Sequence, residues 1–392
     1  MNFSGDFPGR FRRLCAVAVF LLLVYGTCPV YPVFAGENSE QDAKMVEEDI
    51  MGDMELEEAD RAIDQLLGEN LSIEEMVKKL MDGGQVLKGD TLKKTVLEIL
   101  QEAAGIQKET WIHILLLVLL SSVLTNLSRV FDNQQISDIA FYMIYLLLFV
   151  ILLKSFDSFS TQIGEALSGL TEFMRALLPS YYLALTASNG ISTAGIFYQM
   201  IIVIIYLAEN LILKFLLPGV RIYLLMALVN YLTGEQFLSK MTELLHDGIL
   251  WALKTIVGVV LGIQLIQRMV SPAVDALRQT VIGKTAGVIP GIGNIFSGIT
   301  EMVLGSAMLI KNCLGAAAVI IMVLAAIPPV IRLGISTVFY QLAAACVQPV
   351  TDKRMVGCLH TMGESIGMLL KLLLSVEVLF LLTVAILAGS LG

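Results

Sequence analysis

The chain is dominated by apolar runs that are long enough, or nearly long enough, to cross a lipid bilayer as helices. Such runs recur between residues 111 and 392 with few charges inside them; they lie at 111–127, 139–153, 194–213, 221–232, 249–266, 296–310, 313–331, 333–350 and 366–388. A helix needs roughly 20 apolar residues to span the hydrocarbon core, so six runs are secure and three are doubtful and could be re-entrant. We therefore predict an all-α fold, a polytopic transmembrane helical bundle of six to nine spans.

The composition agrees with this class of fold. Hydrophobic residues make up 56% of the chain and charged residues 16%, whereas soluble domains average about 45–50% and about 25%. A soluble globular enzyme is excluded on this ground, because its surface needs more charge. No basic stripe is present in the sequence, so nucleic acid is not expected as a partner.

The first 35 residues have the pattern of a secretory signal peptide. Arg10, Arg12 and Arg13 precede the apolar run 14–25, and Val33-Phe34-Ala35 resembles the small-residue site at which such peptides are cleaved. The alternative is an uncleaved anchor helix, although this run is short for a membrane span.

Residues 36–110 form an acidic segment between the signal and the first span. They contain 20 acidic and 8 basic residues and no cysteine, so no disulfide framework is expected outside the cytoplasm. Ser72-Ile73-Glu74-Glu75 has the pattern of a capping box, which starts a helix. We predict a small extracytoplasmic helical module. Its charge is typical of a solvated face, and the alternative is a docking surface for a partner outside the cytoplasm.

Residues 157–190 differ from the spans around them. Apolar residues form a stripe at helical spacing, with Glu165, Glu172 and Arg175 outside it; the stripe consists of Phe159, Ile163, Leu167, Leu170, Phe173, Met174 and Leu177. The pattern predicts an amphipathic helix that ends near Pro179 and either lies in the membrane interface or caps a cavity.

Ionisable residues inside apolar runs are the best candidates for function, because each is costly in a membrane unless it is paired or near water. Five qualify: Glu209, Lys254, Glu301, Lys371 and Glu377. They could form a polar lining or an ion relay, or they could only pair helices with one another. Nothing in the sequence decides between these two interpretations.

A weak internal repeat relates two parts of the membrane region, residues 170–254 and 281–371. Proline and arginine recur at one offset of 111 residues, so that Pro179, Pro218 and Arg221 correspond to Pro290, Pro329 and Arg332. Many secondary transporters build a midplane site from broken helices in such repeats. A stand-alone transporter is therefore the alternative function, while a chance match explains the pattern equally simply.

Motifs for catalysis and for cofactors fail on their context. Gly363-Glu-Ser-Ile-Gly367 matches the GxSxG pattern of hydrolases, yet no histidine follows it. The three histidines are scattered and no paired-cysteine motif occurs, so neither a metal nor another cofactor is expected. Gly258 and Gly262, like Gly363 and Gly367, have the GxxxG spacing that lets helices approach closely, within one chain or between copies of it. We expect that the protein is not an enzyme.

Three segments carry a resemblance to a known family. They are Phe173-Met-Arg-Ala-Leu-Leu-Pro179, Gly287-Val-Ile-Pro-Gly-Ile-Gly293 and Ala325-Ala-Ile-Pro-Pro-Val-Ile-Arg332, and the closing stretch from Gln348 to Ala388 extends the likeness. Together with the signal, the acidic module and the polytopic region, they resemble the stage III sporulation protein AE family.

The resemblance implies an endospore-forming bacterium and a location in the mother-cell membrane around the forespore, with residues 36–110 in the intermembrane space. It implies that the protein acts with other stage III sporulation A proteins and with stage II sporulation protein Q. Together these would form a trans-envelope channel or secretion-like complex that supports forespore development and late gene expression there.

Overall fold

The computed structural model describes residues 45–388, apart from short gaps and the longer stretch 85–104. Side chains at 124–130, 134–138, 267–286 and 293–301 are not described either, so the predicted signal peptide, Pro290 and the Glu301 side chain lie outside the described residues. The described residues from Met45 onward belong to one compact unit.

The described residues form helices joined by short connections, with no strand among them. In chain order the helices are α1 (Glu57–Leu67), α2 (Ile73–Met81), α3 (Lys108–Val130), α4 (Gln134–Asn189), α5 (Ile191–Leu207), a π-helix (Ala208–Leu216), α6 (Leu217–Thr233), α7 (Ser239–Ala286), α8 (Gly293–Val347) and α9 (Lys353–Ala388). The predicted all-α fold is confirmed.

Five segments are long and apolar enough to cross a membrane, within the part of the chain that the structure describes. They are Phe141–Ser188, Ala194–Leu232, Ser239–Ile266, Met302–Val347 and Lys353–Ile386. The predicted six to nine spans are not confirmed, because separate runs of the sequence fuse into longer helices. The runs 296–310, 313–331 and 333–350 fall largely within α8, whose 55 residues contain Pro328 and Pro329 without a break.

Helix α9 lies at the centre of the bundle, since it packs against α4, α6, α7 and α8. Its membrane segment is the most buried of the five. Gly363 and Gly367 allow the close approach of α8: a Cβ atom on Gly363 would lie 3.0 Å from Gln341 Cγ, and one on Gly367 would lie 3.6 Å from Thr337 Cγ2. This pair therefore serves packing within the chain, whereas Gly258 and Gly262 meet no neighbouring atom within 4 Å.

The two short helices of the acidic segment pack against the membrane helices, α1 on α4 and α2 on α8. Leu66 of α1 lies against Gly169, where an added Cβ would meet its Cδ2 atom at 2.6 Å. Ser72 precedes α2 but makes no capping hydrogen bond through its side chain. Asp60 accepts the Ile73 backbone N–H at 2.7 Å and the Ser72 hydroxyl at 3.0 Å instead, so a carboxylate of α1 replaces the predicted capping box. The domain boundaries at 35 and 110 stay predictions.

The proline positions differ in local structure. Helix α4 continues through Pro179 for ten further residues, because a proline removes one backbone hydrogen bond and a bundle can stabilise the interrupted turn. Pro218 is the second residue of α6, directly after the π-helix. Pro329 lies inside α8, so Pro218 and Pro329 do not share a local structure, and the internal repeat stays a prediction.

Candidate functional site: a charged cleft beside the π-helix

One face of α4 is polar along more than five turns. The exposed residues recur every three or four positions: Lys154, Asp157, Ser158, Thr161, Glu165, Ser168, Glu172 and Arg175. We call this set the polar stripe. All seven residues of the predicted apolar stripe, from Phe159 to Leu177, are buried on the other side of the helix. The amphipathic character predicted from the sequence is thus confirmed, but it belongs to a long helix that also contains a membrane segment.

The π-helix supplies the partner of the last residue of the stripe. Arg175 Nη2 donates a hydrogen bond of 2.6 Å to Glu209 Oε1. Glu209 is in the first turn of the π-helix, a form that is rare and often marks functional sites. Farther along the stripe, Arg221 of α6 forms an ion pair with Asp157. Two ion pairs therefore join α4 to the chain segment 208–221.

A cavity of about 820 Å³ opens where α1, α4 and the π-helix meet. Its charged lining consists of three acidic and three basic residues: Glu58, Arg61, Glu172, Arg175, Glu209 and Lys214. We call it the charged cleft. A second cavity of about 420 Å³ adjoins it, shares Gly164 and Ser168 with it and extends to Arg221. The two cavities form one groove along α4, which we call the polar groove after its charged cleft, although the second cavity is lined mainly by apolar atoms.

The structure does not gather the five predicted intramembrane residues into one site. Glu209 lines the charged cleft, whereas Lys254 and Lys371 are exposed on α7 and α9. Glu377 is only 4% exposed on α9, and neither of its carboxylate oxygens has a hydrogen-bond partner among the described residues. Arg221 lines the second cavity, and Arg332 is partly buried on α8.

Several buried polar groups were missed by the sequence reasoning. Lys311 separates two apolar runs in the sequence, yet its side chain is buried inside α8. Gln264 donates a buried hydrogen bond of 2.6 Å to the Thr383 hydroxyl, which ties α7 to α9. The absence of glycine and proline at positions 311 and 312 is the signal that could have identified a continuous helix there.

Two of the scattered histidines lie close to one hydrogen-bonded pair. The Tyr223 hydroxyl donates to Glu364 Oε2 at 3.2 Å, His360 Nε2 lies 4.0 Å from Glu364 Oε1, and the His246 ring centroid is 5.5 Å from that of Tyr223. The described residues nevertheless contain no group of three histidine, cysteine or carboxylate side chains that could hold a metal ion.

The polar groove is therefore the candidate site. The size of its charged cleft and the six charged side chains that line it suit water and hydrophilic solutes.

Comparisons with known proteins extend over most of the chain. A family model described as stage III sporulation protein AE matches residues 71–390. Stage III sporulation protein AE of Bacillus subtilis (strain 168) is 27% identical over 281 residues, which cover 71% of this chain and 70% of the relative. No solved structure matches the chain.

Proposed function

The chain belongs to the stage III sporulation protein AE family, and from that premise we propose that it is a membrane subunit of a trans-envelope channel or secretion-like complex between mother cell and forespore. In this role it supports forespore development and late gene expression in the forespore. In this role the protein assembles with partner subunits and contributes to a route across the envelope, and it does not catalyse a reaction.

The extent of the family match is the observation that carries this proposal. The matched residues, 71–390, include every helix from α2 to α9, so the family relationship concerns the whole membrane bundle and not one motif. The polar groove along α4 adds support, because a subunit of a channel needs a hydrophilic surface as well as a lipid-facing one. Its balanced charges give no preference for ions of one sign.

In this proposal the protein resides in the mother-cell membrane that surrounds the engulfed forespore. Residues 36–110 are on the side of the space between the two membranes, where the surface of α1 and α2 that does not pack against the bundle meets partner proteins. The partners are other stage III sporulation A proteins and stage II sporulation protein Q. The acidic segment, with its 20 acidic residues, is the part of the chain that reaches them.

Deletion of the gene in its own host tests the proposed role in sporulation. We expect heat-resistant spores to fall by at least about 100-fold, with normal growth in rich medium, because the complex is used only in sporulating cells. A copy of the gene at another locus should restore spore formation. A normal spore yield after deletion would contradict the proposal.

A further inference from the structure

The depth of the polar stripe in the membrane follows from contacts between neighbouring helices. Helix α6 lies beside α7, since a Cβ atom on Gly219 would meet Ile249 Cδ1 at 3.5 Å. Tyr223 lies beside His246, so α6 and α7 run in opposite directions. Residues 217–221 are therefore level with about residues 247–251 of α7, within Ser239–Ile266, one of the five segments that are long and apolar enough to cross a membrane.

The same segment of chain is level with the polar stripe on its other side. Arg221 pairs with Asp157, and a Cβ atom on Gly164 would lie 3.7 Å from Leu217 Cδ2. Arg175 then pairs with Glu209, two turns before α6 begins. The stripe from Asp157 to Arg175 thus lies side by side with α7 from about residue 247 to about residue 259.

At this depth the two helices expose different surfaces. On α7, Trp251 is 69% exposed and Val259 is 53% exposed, as expected of side chains that face lipid, and Lys254 is the one charged side chain exposed between them. On α4 no large hydrophobic side chain is exposed between residues 151 and 182. The side chains of Asp157 and Arg175 are instead 62% and 61% exposed.

Lipid cannot be the neighbour of the polar stripe. A charged side chain at the centre of a bilayer costs several kcal/mol, and charged residues in membrane segments face either the protein interior or a water-filled cavity. The stripe carries several charged residues. Asp157 and Arg175 remain more than half exposed although each forms an ion pair. Water satisfies these groups, and the charged cleft of about 820 Å³ has both the room and the polar side chains to hold it.

We propose that the polar groove formed by the charged cleft and its neighbouring cavity is a water-filled vestibule at the depth of the membrane, open to small hydrophilic solutes. Helix α1 covers one side of it through the contact of Leu66 with Gly169. The balance of acidic and basic side chains suits uncharged or zwitterionic solutes. The use of the vestibule as part of a passage rests on the proposed function, whereas its access to water does not.

Cysteine accessibility tests the vestibule in the full-length protein. The native cysteines are replaced, and single cysteines are introduced by Ser168→Cys in the groove and by Trp251→Cys on the lipid face. Intact membranes are then treated with a charged, membrane-impermeant thiol reagent. We expect the Ser168→Cys variant to react at least about tenfold faster than the Trp251→Cys variant, which lies within about one helical turn of it in depth.

A second groove variant and a control for total thiol complete the test. Thr161→Cys places a second thiol in the groove, in case Ser168→Cys disturbs the neighbouring contact of Gly169 with Leu66. Labelling after denaturation gives the total reactive thiol of each variant. The proposal is overturned if both groove variants stay unreactive in membranes and become reactive on denaturation, since lipid or protein would then cover the groove. Thiol labelling does not depend on spore yield, so the vestibule proposal can fail while the proposed function stands.

Discussion

Arg175 of α4 is hydrogen-bonded to Glu209 of the π-helix at 2.6 Å, and this contact closes one end of the charged cleft. The two residues are 34 positions apart in the chain. The contact links the end of the polar stripe to the single π-helix found among the described residues.

Charge reversal of this pair should reveal its coupling. Arg175→Glu places two carboxylates together, and Glu209→Arg places two cations together, whereas the double variant restores attraction. We expect a coupling free energy of about 0.5–1 kcal/mol, because the pair is partly exposed to water. The measurement is the free energy of unfolding of the four proteins in mixed micelles. Strictly additive effects would show that the pair contributes nothing.

Because Gly357 contacts Tyr231 closely, we expect a methyl group added at Gly357 to lower the stability of the protein strongly. A Cβ atom at Gly357 would lie 2.5 Å from the Tyr231 ring, which must then move within the interface of α6 and α9. We expect Gly357→Ala to lower the free energy of unfolding by about 1–3 kcal/mol. Gly258→Ala is the matched control, because no atom lies within 4 Å and alanine favours a helix. Equal stabilities for the two variants would contradict the described packing.

The buried Glu377 side chain allows a prediction about its charge. A carboxylate without partners is costly in the interior, so the neutral acid is the form that the bundle accommodates. We expect Glu377→Gln to preserve the free energy of unfolding within about 0.5 kcal/mol, and Glu377→Ala to lower it by about 2 kcal/mol or more through a cavity. Lys240→Ala, an exposed change, should have little effect. If Glu377→Gln destabilises as much as Glu377→Ala, the side chain is an ion held by a partner.

The described cysteines should differ in their reaction with a small membrane-permeant maleimide. Cys346 is exposed, while Cys313 and Cys358 are buried. The Cys358 thiol also lies 3.0 Å from the Tyr145 hydroxyl, which donates to the Leu228 carbonyl at 2.5 Å. Peptide mass spectrometry should find Cys346 modified at least about tenfold faster than the other two. Comparable rates for Cys346 and Cys358 would be inconsistent with this packing.

Local periodicity was enough to predict part of the fold and of the site. The seven apolar residues from Phe159 to Leu177 are all buried, because a helix that covers a core on one side must repeat its apolar residues every three or four positions. Glu209 was identified for the same kind of reason, since an acidic residue in an apolar run needs a partner or water.

The remaining features depend on contacts between distant segments. The pairing of Asp157 with Arg221 spans 64 positions, and no local pattern indicates which helices will meet. The fusion of three apolar runs into α8 could not be predicted from hydropathy, because Lys311 resembles a loop residue until the surrounding helices bury it. The π-helix arises in a segment whose composition does not differ from that of an ordinary α-helix.

Membership of a complex is the central claim, and co-purification from sporulating cells tests it most directly. A tagged full-length chain is extracted from membranes in mild detergent, purified and analysed by mass spectrometry, with extracts of vegetative cells that express the same chain as the control. We predict that other stage III sporulation A proteins and stage II sporulation protein Q elute with it from sporulating cells. A chain that elutes without them, and that transports a solute when placed alone in vesicles, would contradict the account and favour a stand-alone transporter.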